Sequence, residues 1–358
     1  MMRARGFSMI ELMVAITLAL IVTTGVISVF IGSRSAYNAT SGTAALTDGG
    51  RFALNFISDS VRGAGNMACM RASGLLSTLN VTGSPLTSAS SFSQALGGYE
   101  AIVAGNAYTI ATWPVAADGN NGDWIGGLDT ALAGLVIQNN DVLVVRSTLG
   151  NAIPAYVNTI TPGANQFNVI SPPGSLANGQ LAVISDCTNG ELFQITGLGG
   201  GATPTVTHNA GAGTPGNVQS NLNLTYSAGA VVTPVDTLAY YIGKGADGDG
   251  ALFVYSSNAK GTWTSTELVP DIEAMRVLYG LDINKSQTVA TYVTADQVAD
   301  FNTVMSVRVA LLAASAPGAG RPASAVTYNL LGTAVTPPVD TRSRQLFQET
   351  IAVRNALN

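Results

Sequence analysis

Charge is scarce in this chain of 358 residues: Asp, Glu, Lys and Arg make up 10% of it, where a quarter is usual. The 16 Lys and Arg against 21 Asp and Glu leave a net charge of −5 and a pI near 4.8. No run interleaves basic with aromatic residues, so the electrostatic footprint that phosphate requires is missing and no nucleic-acid partner is expected. There is one histidine, His208, which removes most histidine-based zinc sites and catalytic triads. It lies between Gly197 and Gly216, a stretch of Gly, Ala, Thr, Pro and Asn expected to be a mobile surface loop with His208 solvated. The two cysteines are Cys69 and Cys187, and no proline precedes Pro85, so nothing in the first 84 positions forbids a long helix.

What is present begins at the amino terminus. A basic leader with Arg3 and Arg5 runs into Phe7–Ile31, where the only ionisable side chain is Glu11. A segment this long and apolar covers the ~30 Å hydrocarbon core of a bilayer, and the leading arginines hold the amino terminus in the cytoplasm. Everything after Ile31 is then exported. Glu11 costs something like 3 kcal/mol at this depth on insertion scales and calls for a neutralising partner. A plain anchor or signal peptide is the simpler alternative, but a secretory apolar region is shorter and lacks an internal acid.

The junction Gly6-Phe7-Ser8-Met9-Ile10-Glu11-Leu12 resembles the class III signal of type IV prepilins and pseudopilins. The resemblance implies cleavage between Gly6 and Phe7 by a prepilin peptidase, N-methylation of Phe7, an assembly role for Glu11 opposite the new amine of an adjacent subunit, and retention of the apolar helix as filament core. The helix is expected to continue beyond the membrane with a stripe of Phe52, Phe56, Ile57 and Val61 facing a sheet, and with Gly25, Gly32, Gly42, Gly49 and Gly50 as weak points. The following Gly50-Arg51-Phe52-Ala53-Leu54 … Arg62-Gly63-Ala64-Gly65 … Cys69 and the closing Thr350-Ile351-Ala352-Val353-Arg354-Asn355 resemble minor pilins of the PilW type.

Arg71 to Asp129 reads as an insertion rich in Ser, Thr, Gly and Ala. Asp118 to Asp123 misses the spacing of a calcium loop and reads as a turn. Asp247 and Asp249 lie in a hairpin loop between Thr237–Ile242 and Ala251–Tyr255, with calcium as the alternative. Asp141–Arg146, Gln180–Cys187, Glu191–Thr196, Met305–Leu312 and Gln345–Asn355 read as strands. Asp271 and Glu273 lack a partner nucleophile or histidine and read as ion-pair residues rather than catalysts. Cys69 and Cys187 both fall beyond the membrane segment with no competing third cysteine, which points to one disulfide, the alternative being two buried thiols.

The expected fold is α+β and pilin-like: a long amino-terminal helix packed on an antiparallel β-sheet, with a β-rich insertion. Its parts are a leader at 1–6, the membrane half of the helix at 7–31, the periplasmic half at 32–66, a variable β-rich region at 67–235 and a carboxy-terminal sheet at 236–358. The resemblance implies a minor pilin, without cofactor or enzymatic activity, in the inner membrane with its domain in the periplasm and then on the pilus. Its partners would be other minor and major pilins, and its place a tip or priming complex. A minor pseudopilin of a type II secretion system and a tip adhesin with its ligand site in the insertion are the alternatives.

Overall fold

The computed structural model describes residues 8–80, 92–112, 114–148, 150, 152–172, 174–211, 213, 215–256, 263–320 and 325–356. One helix, α1 (Met9–Gly63), runs unbroken for 55 residues, about 80 Å at 1.5 Å per residue. In the apolar part, the hydroxyls of Thr17, Thr23, Thr24 and Ser28 donate to carbonyls three or four residues back. That satisfies these groups within the helix, as a hydrocarbon environment demands. Residues from Met9 to Asn38 are exposed, and burial begins at Gly42. This helix is long and apolar enough to cross a membrane.

Beyond the bare portion, one face of α1 is buried through Leu46, Gly50, Ala53, Leu54, Ile57, Ser58 and Val61. The spacing is that of a helical stripe; Ile57 and Val61 of the expected stripe lie on it, and Phe52 and Phe56 do not. Phe52 and Phe56 point outward, 59% and 45% exposed, because Phe347 lies so close against the buried face at Gly50 that there is no room there even for a Cβ. The glycines are therefore contact points. A Cβ on Gly50 would overlap the Phe347 ring, and one on Gly42 would overlap the Ala319 methyl.

Two sheets receive that stripe. The first is antiparallel throughout. It is formed by Ile272–Leu281, Thr291–Val293, Val304–Ala314 and Arg344–Ala352, in the order 291–293, 272–281, 304–314, 344–352. Its other face carries Ala274, Ala310 and Leu312, covered by Ile110, Leu330 and Val335. Leu330 and Val335 belong to a small sheet of Tyr328–Leu330, Thr333–Thr336 and Ala107–Thr109, with the last strand parallel, and Ile110 directly follows that strand. The second sheet pairs Leu96–Tyr99, Val142–Thr148, Val231–Lys244, Gly250–Ser256 and Thr264–Val269 in that order. Helix and both sheets share one core, with Ile57, Leu143, Tyr240, Met275, Val307 and Ile351 all buried.

The long strand Val231–Lys244 belongs to two structures at once. Its later half lies in the second sheet, while Val231–Pro234 pairs with Leu181–Ser185 and Ala155–Ile160. From there the ladder passes to Gln166–Ile170, Thr205–Thr207 and Gly197–Leu198. On the other side it passes through Leu181–Ser185 to Gly190–Gln194. Gly190–Gln194 also takes Leu76–Ser77 beside it in parallel, and its chain runs on through Ile195 and Thr196 into Gly197–Leu198. Ile195 continues the ladder to Gln180, and the Thr196 N–H donates to Thr207 O at 2.8 Å. The strands thus close into a small barrel filled by Val157, Phe167, Ile184, Phe193, Val206 and Tyr226. Closure leaves no open sheet edge between its first and last strands.

Three expectations change accordingly. The Gly197–Gly216 stretch contributes two barrel strands, and His208 is 1% exposed between the rings of Phe167 and Phe193 at 5.7 and 5.6 Å. The reading as a mobile loop with a solvated histidine followed composition alone, whereas Val206 and His208 have an apolar interior to enter. The 71–129 segment supplies core as well as loop, since Ala101, Trp124 and Leu128 are buried against Val142, Val144 and Tyr241. The boundary between 235 and 236 falls inside the long shared strand.

Candidate functional site

The amino-terminal segment enters the helix through a capping box. Ser8 accepts the Ile10 N–H at 3.3 Å, and the Glu11 carboxylate reaches back to the Ser8 N–H at 3.0 Å. Two of the otherwise unsatisfied first-turn donors are so used. The carboxylate also offsets the positive end of the helix. Glu11 is thereby turned toward the amino terminus, three residues from Ser8 and four from Phe7. Gly6 and Phe7, the expected cleavage and methylation residues, lie outside the described residues.

The other end of α1 is locked to the sheets. Ser58 Oγ and Arg62 Nη2 both donate to Glu349 Oε1, at 3.1 and 3.0 Å. The Tyr240 and Ser60 hydroxyls are 2.6 Å apart. The carboxy-terminal segment supplies the final tie. The Val353 N–H donates to Met305 O at 2.8 Å, and Asn355 Nδ2 donates to the carbonyl of Ala64, the residue that ends the helix, at 2.8 Å. One of the carbonyls left over at a helix end is paired in this way. Cys69 and Cys187, 118 positions apart, are joined by a disulfide with a Cα–Cα distance of 5.0 Å. This connects the segment just after the helix to the barrel.

A buried charge cluster joins the two sheets. Arg276 lies on Ile272–Leu281 and pairs with Glu100 and with Asp141, the latter at 2.8 Å. Asp141 also accepts the N–H groups of Ala101 and Val277 at 3.1 and 2.8 Å. The neighbouring Asn140 accepts the Met275 N–H at 2.8 Å, so side chains from one sheet satisfy backbone donors of the other. Burial, reinforced by the Asp141 charge, pushes the Glu100 carboxyl up to about 8. Burial likewise raises Asp141, to about 6, against the pull of Arg276. With one carboxyl protonated, the cluster is neutral overall, which is the arrangement a low-dielectric site favours. The sequence carried one faint sign of it, a lone arginine inside the apolar run Ala274–Leu278.

Asp271 and Glu273 are ion-paired. Arg342 bonds Asp271 at 3.1 Å and Asp249 at 2.5 Å, and Arg344 grips both Glu273 oxygens at 2.7 and 2.9 Å. Asp247 and Asp249, considered above for calcium, occupy the tight turn between Val231–Lys244 and Gly250–Ser256. No group of three or more His, Cys, Asp or Glu able to hold a metal ion occurs among the described residues.

Comparison with known proteins follows this division of the molecule. The prokaryotic N-terminal methylation motif matches residues 1–27, which include the start of α1. The family described as type IV pilus-assembly protein W matches residues 239–355, which run from the second sheet to the Asn355 clasp. Among solved structures, the type IV-like pilin TTHA1219 from Thermus thermophilus is similar at 20% identity over 35% of this chain and 70% of its own, with a TM-score of 0.25. No curated protein matches the chain. The methylation motif at the head of a single membrane-anchoring helix, and the PilW match across the sheets that clasp that helix, support a type IV pilin of the PilW type and indicate a minor pilin that takes part in type IV pilus assembly.

Proposed function

We propose that this minor pilin works at the tip of the filament, in the complex with other minor pilins that primes assembly. The observation that carries this reading is the polarity of the molecule. A bare apolar helix leaves one end, while at the other the Gly65 N–H is bonded to Arg146 O and the strands continue past the helix end into the closed barrel. A subunit inside the filament body must accept a neighbour above it, and a barrel projecting beyond the helix obstructs that stacking. A tip position leaves it unobstructed.

In this reading the prepilin peptidase cuts between Gly6 and Phe7, Phe7 is N-methylated, and the inner membrane holds the subunit, with its domain in the periplasm, until assembly carries it to the surface. The protein is a structural subunit rather than an enzyme. Glu11 meets the basic amine of an adjacent subunit, a pairing that low dielectric strengthens. The capping box supports this role, because it already turns the carboxylate toward the amino terminus. Glu11→Leu should leave processing and the folded domain intact while the subunit is depleted from sheared pili relative to membranes, with Glu11→Gln less severe. Equal incorporation of Glu11→Leu and wild type would end the assembly role of Glu11. A copy number per filament that rises in proportion to filament length would end the tip assignment.

A further inference from the structure

The first sheet ends on a long strand with an open side. Arg344–Ala352 pairs with Val304–Ala314 on one edge and, among the described residues, with no strand on the other. Its odd-numbered residues carry the ladder: Ser343 O accepts the Ser315 N–H at one end, and the Val353 N–H donates to Met305 O at the other. The register between them is unbroken, so bonding alternates along the strand and the N–H and C=O groups of the even-numbered residues point away from the sheet. The Tyr328 hydroxyl donates to Arg344 O at 3.4 Å. The backbone groups of Leu346, Gln348, Thr350 and Ala352 have no partner among the described residues, and all of these but Leu346 are exposed.

An edge of this kind is a template for another chain, and sheets ordinarily guard it by shortness, bulges, proline or charge. The other edges of the two sheets under α1 are guarded. Thr291–Val293 has three residues and Leu96–Tyr99 four, and the ladder of Thr264–Val269 shifts register. Arg344–Ala352 has nine residues, no proline and no register shift. Its two charges are turned elsewhere, Arg344 to Glu273 and Asp340 and Glu349 to Ser58 and Arg62. The Glu349 contacts also show what lies beside the edge. Ser58 and Arg62 share a stripe of α1 with Arg51 and Asn55, on the flank away from Gly49 and Ser60, which face Val269 and Tyr240 of the second sheet. A strand added outside Arg344–Ala352 would run along that stripe, where Arg51 is exposed.

We propose that this edge is a docking site at which an extended, acid-bearing segment of a different protein adds as a further strand. The extended form follows from the open groups, because only a strand presents donors and acceptors at the repeat of alternate residues. Arg51 sets the sign of the charge. A second copy of this chain does not suit the edge, since antiparallel pairing of the strand with itself would point the two membrane helices in opposite directions. The inference goes beyond the tip assignment and stands without it.

The test uses the full-length chain in dodecyl maltoside micelles, titrated calorimetrically at low salt with the capped peptide Thr-Val-Thr-Glu-Thr-Val-Thr. The same peptide N-methylated at every amide, and a counterpart with Lys in place of Glu, are the other probes. The acidic peptide should bind saturably, the lysine counterpart several-fold more weakly, and the N-methylated peptide not at all. Thr350→Pro removes an outward donor and no ladder bond, a position where an edge strand accepts proline. It should weaken binding several-fold, with an unchanged unfolding temperature showing that the fold is intact. Hydrogen exchange on the wild-type chain gives a reading independent of that variant: the peptide should slow the amides of Leu346, Gln348, Thr350 and Ala352. The proposal is overturned by absence of saturable binding, by equal affinity for the N-methylated or the lysine peptide, by undiminished binding to folded Thr350→Pro, or by binding that leaves those four amides unprotected. Protection of the same amides by raising the concentration of the chain alone would also overturn it, since the occupant would then be a second copy.

Discussion

Gly42 and Gly49 sit two turns apart on α1, and replacing each by alanine should move stability in opposite directions. In a helix interior, Gly→Ala contributes about 1 kcal/mol through backbone entropy alone, so both variants start with the same gain. A Cβ on Gly49 would lie 3.6 Å from Val269 Cγ1, an ordinary contact, and the gain survives. A Cβ on Gly42 would overlap the methyl of Ala319 and lie 3.6 Å from Ser315 Cβ. The loop cannot simply swing aside. Ser315 N–H donates to Ser343 O at 2.8 Å, and the N–H groups of Gly318 and Gly320 both donate to Thr341 O, at 3.1 and 2.7 Å. Overpacking of this kind costs roughly 1–3 kcal/mol, which cancels or exceeds the propensity gain. Because propensity is common to both, the difference between the variants isolates the packing cost. At about 2–4 °C per kcal/mol for a domain of this size, Gly49→Ala should unfold several degrees above Gly42→Ala, with wild type between them or level with the latter. Thermal unfolding of the full chain in micelles, followed by near-ultraviolet circular dichroism, measures this. Equal stabilisation of both would refute the claim that Gly42 is a contact glycine.

Glu100 and Asp141 are carboxyls held above their ordinary values, so the stability they contribute is full at acidic pH and lost as pH rises through the range up to about 8. Glu100→Gln should therefore flatten the decline in unfolding temperature between about pH 5 and pH 8, and an identical profile in the variant would discount the buried cluster. His208 works in the opposite sense. Burial lowers it to about 4, so its contribution is present above its ordinary pKa near 6.5 and is lost as pH falls from there toward 4. Hydrogen exchange should show the barrel amides losing protection over that window, and His208→Phe should suppress the loss. Reduction of Cys69–Cys187, which closes a loop across 118 positions, should cost roughly 4–5 kcal/mol in the chain-entropy account. Two free thiols in normally exported protein, by alkylation and mass spectrometry, would contradict the bond.

The membrane segment and the strands of the carboxy-terminal third were legible in the chain because each rests on local order. An apolar run needs no partner to declare itself, and alternation marks the buried face of a strand. The face of α1 that would be buried was not legible in this way. Phe52 and Phe56 are more apolar than Gly50 and Ala53, yet only the small residues allow the close approach to Phe347 and the sheets, and that distance is set by the partner surfaces. His208 and the 197–216 stretch were misread for the same reason. A Gly- and Thr-rich sequence looks solvated until a barrel closes around it, and closure depends on strands as distant as Ala155–Ile160 and Val231–Pro234. Arg276 shows the limit most plainly, since its partners Glu100 and Asp141 lie 176 and 135 positions away. Local chemistry thus determined that this chain enters a membrane and packs a helix on sheets, and only tertiary proximity decided which side chains meet there, because burial and pairing energies belong to neighbours in space.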